Sequence, residues 1–482
     1  MGPRRHSTAS SDSRRLRVAI IGAGAAGLVS ARECMREGHE VVIFDKGDHV
    51  GGVWVYSDET ELEDELGINA DRLRVHSSLY SELRTNLPRE LMSFSDFPFT
   101  VKAMGAVSVD PRRFPRHEEV LRYLWLFALE YDLLKLARLN TSVNTITPLP
   151  TPEGALGPQW DVTYTSTERG QKVQATETFD AVISAIGNYH EPNLPNVPGL
   201  HSFPGKQIHC HNYRDKHRFK GQRVLVVGAS FSGDEIARQI ASVATQVIQC
   251  ARSWASGPNV VLPPNLTRSP MVARLTKDGR SIFEDGKEWQ PDSIVYCTGY
   301  KYAYPFLPSN LLDIEDFRVG HLYNHIFHPE YAPTLSFIGL IVRSVRFPQF
   351  EAKARYVARS LSGRLKLPSK TDMWDDIVSY YARLEGLGVP MRYAHSQGKG
   401  HSPDSAWVYN DKLATACGPD VPLTEPWRVR LSELSFMQIF NRPESFRDRS
   451  TEEEQKAYDI AAAACDRMLV KHKLGRYPAS KL

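Results

Sequence analysis

Two glycine-rich runs carry the most readable chemistry of this chain. The first, GAGAAG (22–27), follows the apolar run LRVAII and leads into LVSARECMREG, whose apolar residues recur at helical spacing; EVVIFD (40–45) then reads as a second strand. In such a strand-turn-helix-strand unit each glycine has a task. Gly22 permits the tight turn, Gly24 lets the backbone approach a pyrophosphate, and Gly27 lets helix and strand pack closely. Gly22, Ala23, Gly24, Ala25, Ala26 and Gly27 are therefore assigned to dinucleotide binding. The start of the helix adds unpaired N–H groups and a partial positive charge for phosphate. Asp45 stands 18 residues after Gly27, at the end of the second strand, where a carboxylate accepts from ribose hydroxyls. It would repel a 2′-phosphate, so this site is expected to hold FAD or NAD rather than NADP.

The second run, GASFSG (228–233), opens a unit of the same order in RVLVVGASFSGDEIARQIASVATQVIQCAR (223–252). Gly228, Ala229, Ser230, Phe231, Ser232 and Gly233 form its cofactor turn. Ser230 replaces the middle glycine; a small side chain still permits close approach, but the backbone freedom of Gly is lost. Asp234 and Glu235 open the helix, where acids favour its dipole. The second strand ends not in an acid but in CARSW. Arg252 thus occupies the position where a forked cation accommodates a 2′-phosphate, which points to NADPH. The plainer alternative is a solvated charge at a strand end.

Two dinucleotide sites in one chain suggest electron transfer from NADPH to FAD and on to an acceptor. The six cysteines, at 34, 210, 250, 297, 417 and 465, form no C-x-x-C, so spacing indicates neither a dithiol acceptor nor a zinc ribbon. Dioxygen is the other common acceptor. Scattered cysteines in a large chain suit a reducing compartment, and a cytoplasmic location is expected. With 482 residues the chain has room for two or three domains, and 41% apolar residues supply a sizeable core. A net charge of +3 without a basic block beyond the N-terminal tail argues against nucleic acid as a partner. That tail, residues 1–15, is Ser-rich and basic. It reads as disordered and lacks the apolar stretch of a secretory signal. No run approaches the ~18 apolar residues of a membrane span.

Between the two units, residues 116–134 read as a helix, SVNTITPL, WDVTYTST and FDAVISAIG as strands, and TPEGALGP as a hairpin-like loop. EPNLPNVPGL (191–200) has three prolines and reads as a linker. SIVYCTGYKYAYPFL (293–307) is a short strand entering a glycine turn. Beyond residue 350 the pattern is mostly helical, with no chemistry legible in it. The expected fold is α/β, with two Rossmann-like dinucleotide-binding domains: a discontinuous FAD domain (16–194 and 308–482) carrying an inserted NADPH domain (195–307).

FPGKQIHCHNY (203–213) fits F-x-G-x-x-x-H-x-x-x-Y through Phe203, Gly205, His209 and Tyr213. This resembles the fingerprint of the flavin-containing monooxygenases, the class B single-component enzymes. GGVW (51–54) resembles that family's second flavin element and adds Gly52, Val53 and Trp54 to the cofactor set. LRTNLPRELMSFSDFPF (83–99) resembles its Thr-Asn segment beside the flavin ring and adds Thr85, Asn86 and Leu87. CTGYKYAYPFL resembles its ATGY connection and adds Thr298 and Gly299; Val143, in SVNTITPL, completes the set. The likeness runs from about residue 16 to 445 and is closest to the plant branch that oxygenates thioether sulfur in glucosinolates or alkyl-cysteines, through PGKQIHCHNYR, LRTNLPRE and PTLSFIGL.

The resemblance implies FAD, NADPH and dioxygen, and a C4a-hydroperoxyflavin attacked by a small thioether to give a sulfoxide. Asn86 would supply an amide donor to that oxygen; its plainer alternative is a turn residue before Pro88. The resemblance gives His209 a role in coupling the domains, against simple core packing for His209, Phe203 and Tyr213. His209, His211 and His217 lack a metal's company of acids or cysteines, so no metal is expected. Competing functions are N-oxygenation of an amine by the same route and a flavoprotein that acts as an NADPH oxidase or redox sensor. A Baeyer–Villiger enzyme ranks third among the oxygenases, because its related pattern carries Trp at the position of Tyr213. Segments 55–80 and 340–352 are candidates for lining the substrate pocket.

Overall fold

The computed structural model describes residues 15–472 apart from 169, 255–259, 316 and 399–403. The expected disordered tail therefore lies almost wholly outside the described residues.

Strand Arg17–Ile21 shows why the first apolar run has no polar face. Val18 and Ile20 point into one core, with helix Ala25–Arg36 and helix Arg346–Ser362, while Ala19 and Ile21 point into another, with Phe44, Trp160, Val162 and Phe179. A strand buried on both faces belongs in the middle of a parallel sheet. The sheet runs Leu335–Phe337, Ala181–Ser184, Arg17–Ile21, Glu40–Phe44, Ala137–Arg138, all parallel. Helices cover one face; an antiparallel sheet of Thr141–Pro148, Trp160–Glu168 and Gln171–Phe179 covers the other.

The second unit repeats the plan. Strands Leu266–Ser269, Gln246–Cys250, Arg223–Val227, Ser293–Tyr296 and Lys206–His209 lie parallel in that order. Val224 and Val226 face helix Phe231–Ala241, and Leu225 and Val227 face Val272, Leu275 and Phe283 of a small antiparallel ribbon. The fold is thus α/β with two Rossmann-like domains. The chain enters the second through Glu191–Pro192 and leaves through Tyr300–Lys301, and these two short strands pair antiparallel. Strand Leu335–Phe337, from beyond the second unit, returns to the edge of the first sheet.

One expected helix is shorter than its pattern. It spans His117–Glu130, because Asp132 takes a left-handed conformation (φ 56°) that no α-helix continues through. The region beyond 350 is helical as expected: Lys370–Gly386, Ala406–Cys417, Pro426–Asn441 and Glu452–His472 follow Arg346–Ser362. No helix among the described residues is long and apolar enough to cross a membrane.

Candidate active site

The first glycine turn is closed by its own backbone. Gly22 has φ 109°, and a Cβ there would stand 2.5 Å from the Ala185 carbonyl oxygen; a Cβ on Gly27 would stand 1.8 Å from the Gly22 oxygen. Gly24 abuts Gly52, whose own Cβ would come within 2.8 Å of the Gly24 Cα. The GGVW element therefore lies directly on the dinucleotide turn, anchored by the Gly51 N–H to the Ala23 carbonyl at 2.9 Å. Trp54 packs edge-on to Phe347. The Asp45 carboxylate accepts from the Ala23 N–H at 2.6 Å and the Gly47 N–H at 2.7 Å, which sets it at the rim of the turn. Val143 is half-buried in its strand, beside the core around Phe44. Backbones this close, with a helix start that no side chain caps, fit a dinucleotide pyrophosphate.

The second turn follows the same rule at its ends. Cβ atoms on Gly228 and Gly233 would meet the Cys297 oxygen at 2.4 Å and the Gly228 oxygen at 2.3 Å. In between, Ser230 is exposed, and with Ala229 and Phe231 it lines a cavity of about 1290 Å³. Asn86 lines the same cavity. So do Arg343, Ser344 and Val345 of the 340–352 segment, and Trp407, Phe436 and Phe440 of the C-terminal helices. Phe231 stacks on Phe440 at 5.8 Å. No residue of 55–80 lines this cavity; that segment is held at the crossover, as described below. Most cations at the wall are paired: Lys216 with Glu82, Arg84 with Asp448, Arg238 with Asp234, Arg447 with Glu235.

Arg447 was invisible to sequence reasoning. Besides its ion pair with Glu235 at 2.6 Å, it donates to the Thr85 carbonyl at 2.9 Å, tying the Thr85–Asn86 segment to the helix of the second turn. Leu87 is buried beside them, and the Thr85 hydroxyl is buried without a hydrogen-bond partner. Arg252 stands exposed just past strand Gln246–Cys250, outside the cavity lining. Its charge, after those of Arg392 and Arg343, helps hold the Tyr393 phenol below its ordinary pKa.

The fingerprint residues lie at the crossover between the domains. His209 closes its strand with Nε2–H donating to the Gly299 carbonyl at 3.0 Å, while Nδ1 accepts from the His211 N–H at 3.1 Å. That pattern requires the neutral ring, and burial, aided by the nearby His211, holds the pKa down to about 3. Thr298 donates to the Asn193 carbonyl, and Asn193 returns a bond to the Thr298 carbonyl, so the outgoing and returning linkers are knitted together. Tyr213 is fully buried, donates to Gln239 at 3.1 Å, and packs on Tyr80 and Phe219. Gly205 admits the Phe203 ring, which a Cβ would meet at 2.4 Å. Arg214 is buried and donates to the carbonyls of Ser57, Glu59, Ser77 and Leu79, which pins segment 55–80 across this crossover. Gly67, in the same segment, packs on Pro192 of the outgoing linker. Among the described residues no group of three His, Cys, Asp or Glu side chains is placed to hold a metal.

Two dinucleotide turns, one sealed and one open to a cavity, define a flavin- and nicotinamide-dependent oxidoreductase. The pattern of the flavin-binding monooxygenase-like family matches residues 15–257 and 254–400. Flavin-containing monooxygenase FMO GS-OX-like 4 of Arabidopsis thaliana is 43% identical over 434 residues, covering 89% of this chain and 93% of its own. FMO GS-OX-like 6 of the same plant is 47% identical over 379 residues, 78% of this chain and 79% of its own. The solved structure of S-allyl-L-cysteine S-oxygenase from Allium sativum superposes with a TM-score of 0.86 at 38% identity, over 95% of this chain and all of that one. The chain belongs to the flavin-binding monooxygenase-like family. It is an NADPH-dependent flavin monooxygenase that uses FAD and dioxygen on a small molecule.

Proposed function

We propose that this enzyme S-oxygenates small thioethers, converting R–S–R′, NADPH, H⁺ and O₂ to the sulfoxide, NADP⁺ and water. The observation that supports the reading is that Asn86 lines the same cavity as Ser230 and Phe231 of the open second turn, together with Trp407, Phe436 and Phe440. The likeness to an S-oxygenase at 38% identity favours sulfur over amine nitrogen as the oxygen acceptor. In this reading the first turn holds FAD, the second turn with Arg252 holds NADPH, and the NADPH domain spans 195–307, close to the paired linker strands Glu191–Pro192 and Tyr300–Lys301.

FAD, when bound, supplies hydride acceptance from NADPH and activation of dioxygen. The chain's own part is placement and dryness. Phe231, Phe436, Phe440 and Trp407 supply apolar lining that would help keep water from the reacting atoms. The Asn86 amide donates a hydrogen bond toward the reacting oxygen, and Arg447 fixes its segment against the NADPH domain. One such donor, aimed at developing charge, is worth ~3 kcal/mol, about a hundredfold in rate. His209, Thr298 and Gly299 act through the crossover and hold the two domains in register. Six free, buried cysteines suit a reducing compartment, which in this reading is the cytoplasm.

The test is the purified holoenzyme with NADPH and a thioether panel, reading sulfoxide and hydrogen peroxide together. We expect sulfoxide in step with NADPH consumed. Asn86→Ala should keep its flavin and still oxidise NADPH, but release peroxide, with sulfoxide formation down about a hundredfold. Peroxide as the sole product of the wild type with every thioether and amine would favour an NADPH oxidase.

A further inference from the structure

The helix after the second glycine turn opens with two acids, and the structure uses them differently. Asp234 stays within its own unit, accepting from Arg238 at 3.1 Å with Arg268 at 3.6 Å. Glu235 reaches out of it. Its carboxylate accepts from Arg447 at 2.6 Å and from the Tyr80 hydroxyl, and both side chains of the ion pair are largely buried.

Each partner leads to another part of the site. Tyr80 packs edge-on to the fingerprint residue Tyr213 at 5.4 Å, and Tyr213 donates to Gln239, one turn further along the Glu235 helix. Arg447 turns the rest of its fork to the residues before Asn86. Its Nε donates to the Thr85 carbonyl at 2.9 Å and its Nη2 to the Arg84 carbonyl at 3.3 Å. Asp448 holds the Arg84 guanidinium at 2.8 and 3.1 Å. One C-terminal loop thus grips both residues that precede Asn86. Glu235 also stands four residues after Phe231, on the same helix face. Phe231 stacks on Phe440, a few residues before that loop, so one face ties the open turn to the C-terminal segment twice. A guanidinium is planar, and bonds at two of its edges fix its plane. Without the carboxylate, Arg447 loses the charge-assisted bond that sets its direction.

We propose that Glu235 is a positioning residue for oxygen transfer: through Arg447 it holds the Thr85 carbonyl, and with it Asn86, in register with the second glycine turn. The proposal rests on the role given to Asn86 above. When the segment is out of place the oxygen is released rather than transferred, and NADPH, H⁺ and O₂ give NADP⁺ and H₂O₂.

The test reads hydrogen peroxide and sulfoxide per NADPH consumed in the purified holoenzyme, for wild type, Glu235→Ala, Glu235→Gln, Arg447→Ala, the double variant Glu235→Ala/Arg447→Ala, and Asn86→Ala. We expect the peroxide-to-sulfoxide ratio to rise about tenfold in Glu235→Ala and a few-fold in Glu235→Gln, which keeps the volume and a neutral acceptor, with flavin content unchanged. The double variant should be no worse than Arg447→Ala alone, because Glu235 acts through Arg447; additive losses would overturn that route. Hydrogen exchange gives a readout free of turnover. The Thr85 amide donates to the Pro115 carbonyl at 2.8 Å, and in flavin-loaded Glu235→Ala without NADPH it should exchange about tenfold faster than in wild type. Equal exchange rates would overturn the proposal. An uncoupled Asn86→Ala beside a fully coupled Glu235→Ala would overturn the Glu235 role alone. A coupled Asn86→Ala would overturn the role of Asn86 and this proposal with it. Should Glu235→Ala not fold, Glu235→Gln decides: a ratio equal to that of wild type would overturn the proposal.

Discussion

The helix after the first glycine turn buries ten of its twelve residues, whereas the helix after the second buries five of eleven. Both start on a Gly-rich turn with the same backbone closure at its ends. The difference lies in what covers them. The first is roofed by helix Arg346–Ser362 and by the GGVW element lying on Gly24; the second leaves Ser230 exposed to a large cavity. A sealed turn suits a group that stays for many turnovers, and an open one suits a cosubstrate that must enter and leave. In the proposed reading one nucleotide motif serves two kinetic roles, with the neighbouring elements deciding which.

The comparison can be broken most forcefully at the third glycine of each turn. Gly27→Ala puts a Cβ 1.8 Å from a backbone oxygen and should cost ~3 kcal/mol, giving a colourless protein by flavin absorbance. Gly233→Ala, with its contact at 2.3 Å, should keep the flavin and lose NADPH binding. If both variants lose flavin equally, the two sites are not separable. Next in size is Arg252→Ala. Removing a charge-assisted contact to phosphate should lower kcat/KM about tenfold or more for NADPH and leave NADH unaffected, measured by steady-state oxidation of each. Equal losses would move the phosphate contact elsewhere.

The crossover between the two sites supplies a pH signature. His209 is held neutral in the fold, with a pKa of about 3 against ~6.5 when unfolded. A histidine depressed in this way contributes its stability fully above the unfolded value and loses it as pH falls from there toward 3. Between pH 7 and pH 5 the wild type should lose ~2 kcal/mol more than His209→Asn in urea melts. Parallel losses would mean that the ring is not held neutral. The smallest effect is expected for Ser230→Gly, which restores the middle glycine of the open turn. The KM for NADPH should fall about twofold, with flavin content unchanged. A change in flavin content would place Ser230 nearer the sealed site than its exposure indicates.

Much of this was legible in residues close together in sequence. Gly22, Gly27, Gly228 and Gly233 announce backbone contacts that depend on one strand, one turn and one helix, so the local pattern carries them. The histidine pattern could be read as a fingerprint, yet its partners could not be named. His209 bonds a carbonyl 90 residues away, and Arg214 bonds carbonyls 135 to 157 residues away. Nothing in the sequence marks a carbonyl as an acceptor. The same limit hid Arg447, whose spacing fits no motif, and the course of segment 55–80, whose coil gives no sign of which surface it will cross. Cys210 and Cys297 show it again: they form no sequence motif, yet the fold sets their thiols together, and the contact raises the Cys297 pKa.

The sequence by itself determined the two dinucleotide units, their order and the chemistry each turn can hold, because those depend on covalent neighbours and on periodicities of two and 3.6 residues. Only the tertiary structure decided which turn is sealed and which is open, that Asn86 shares a cavity with the second turn, and that the fingerprint binds the linkers. Those outcomes depend on which distant surfaces come into contact, and contact between distant surfaces is set by the packing of the whole chain.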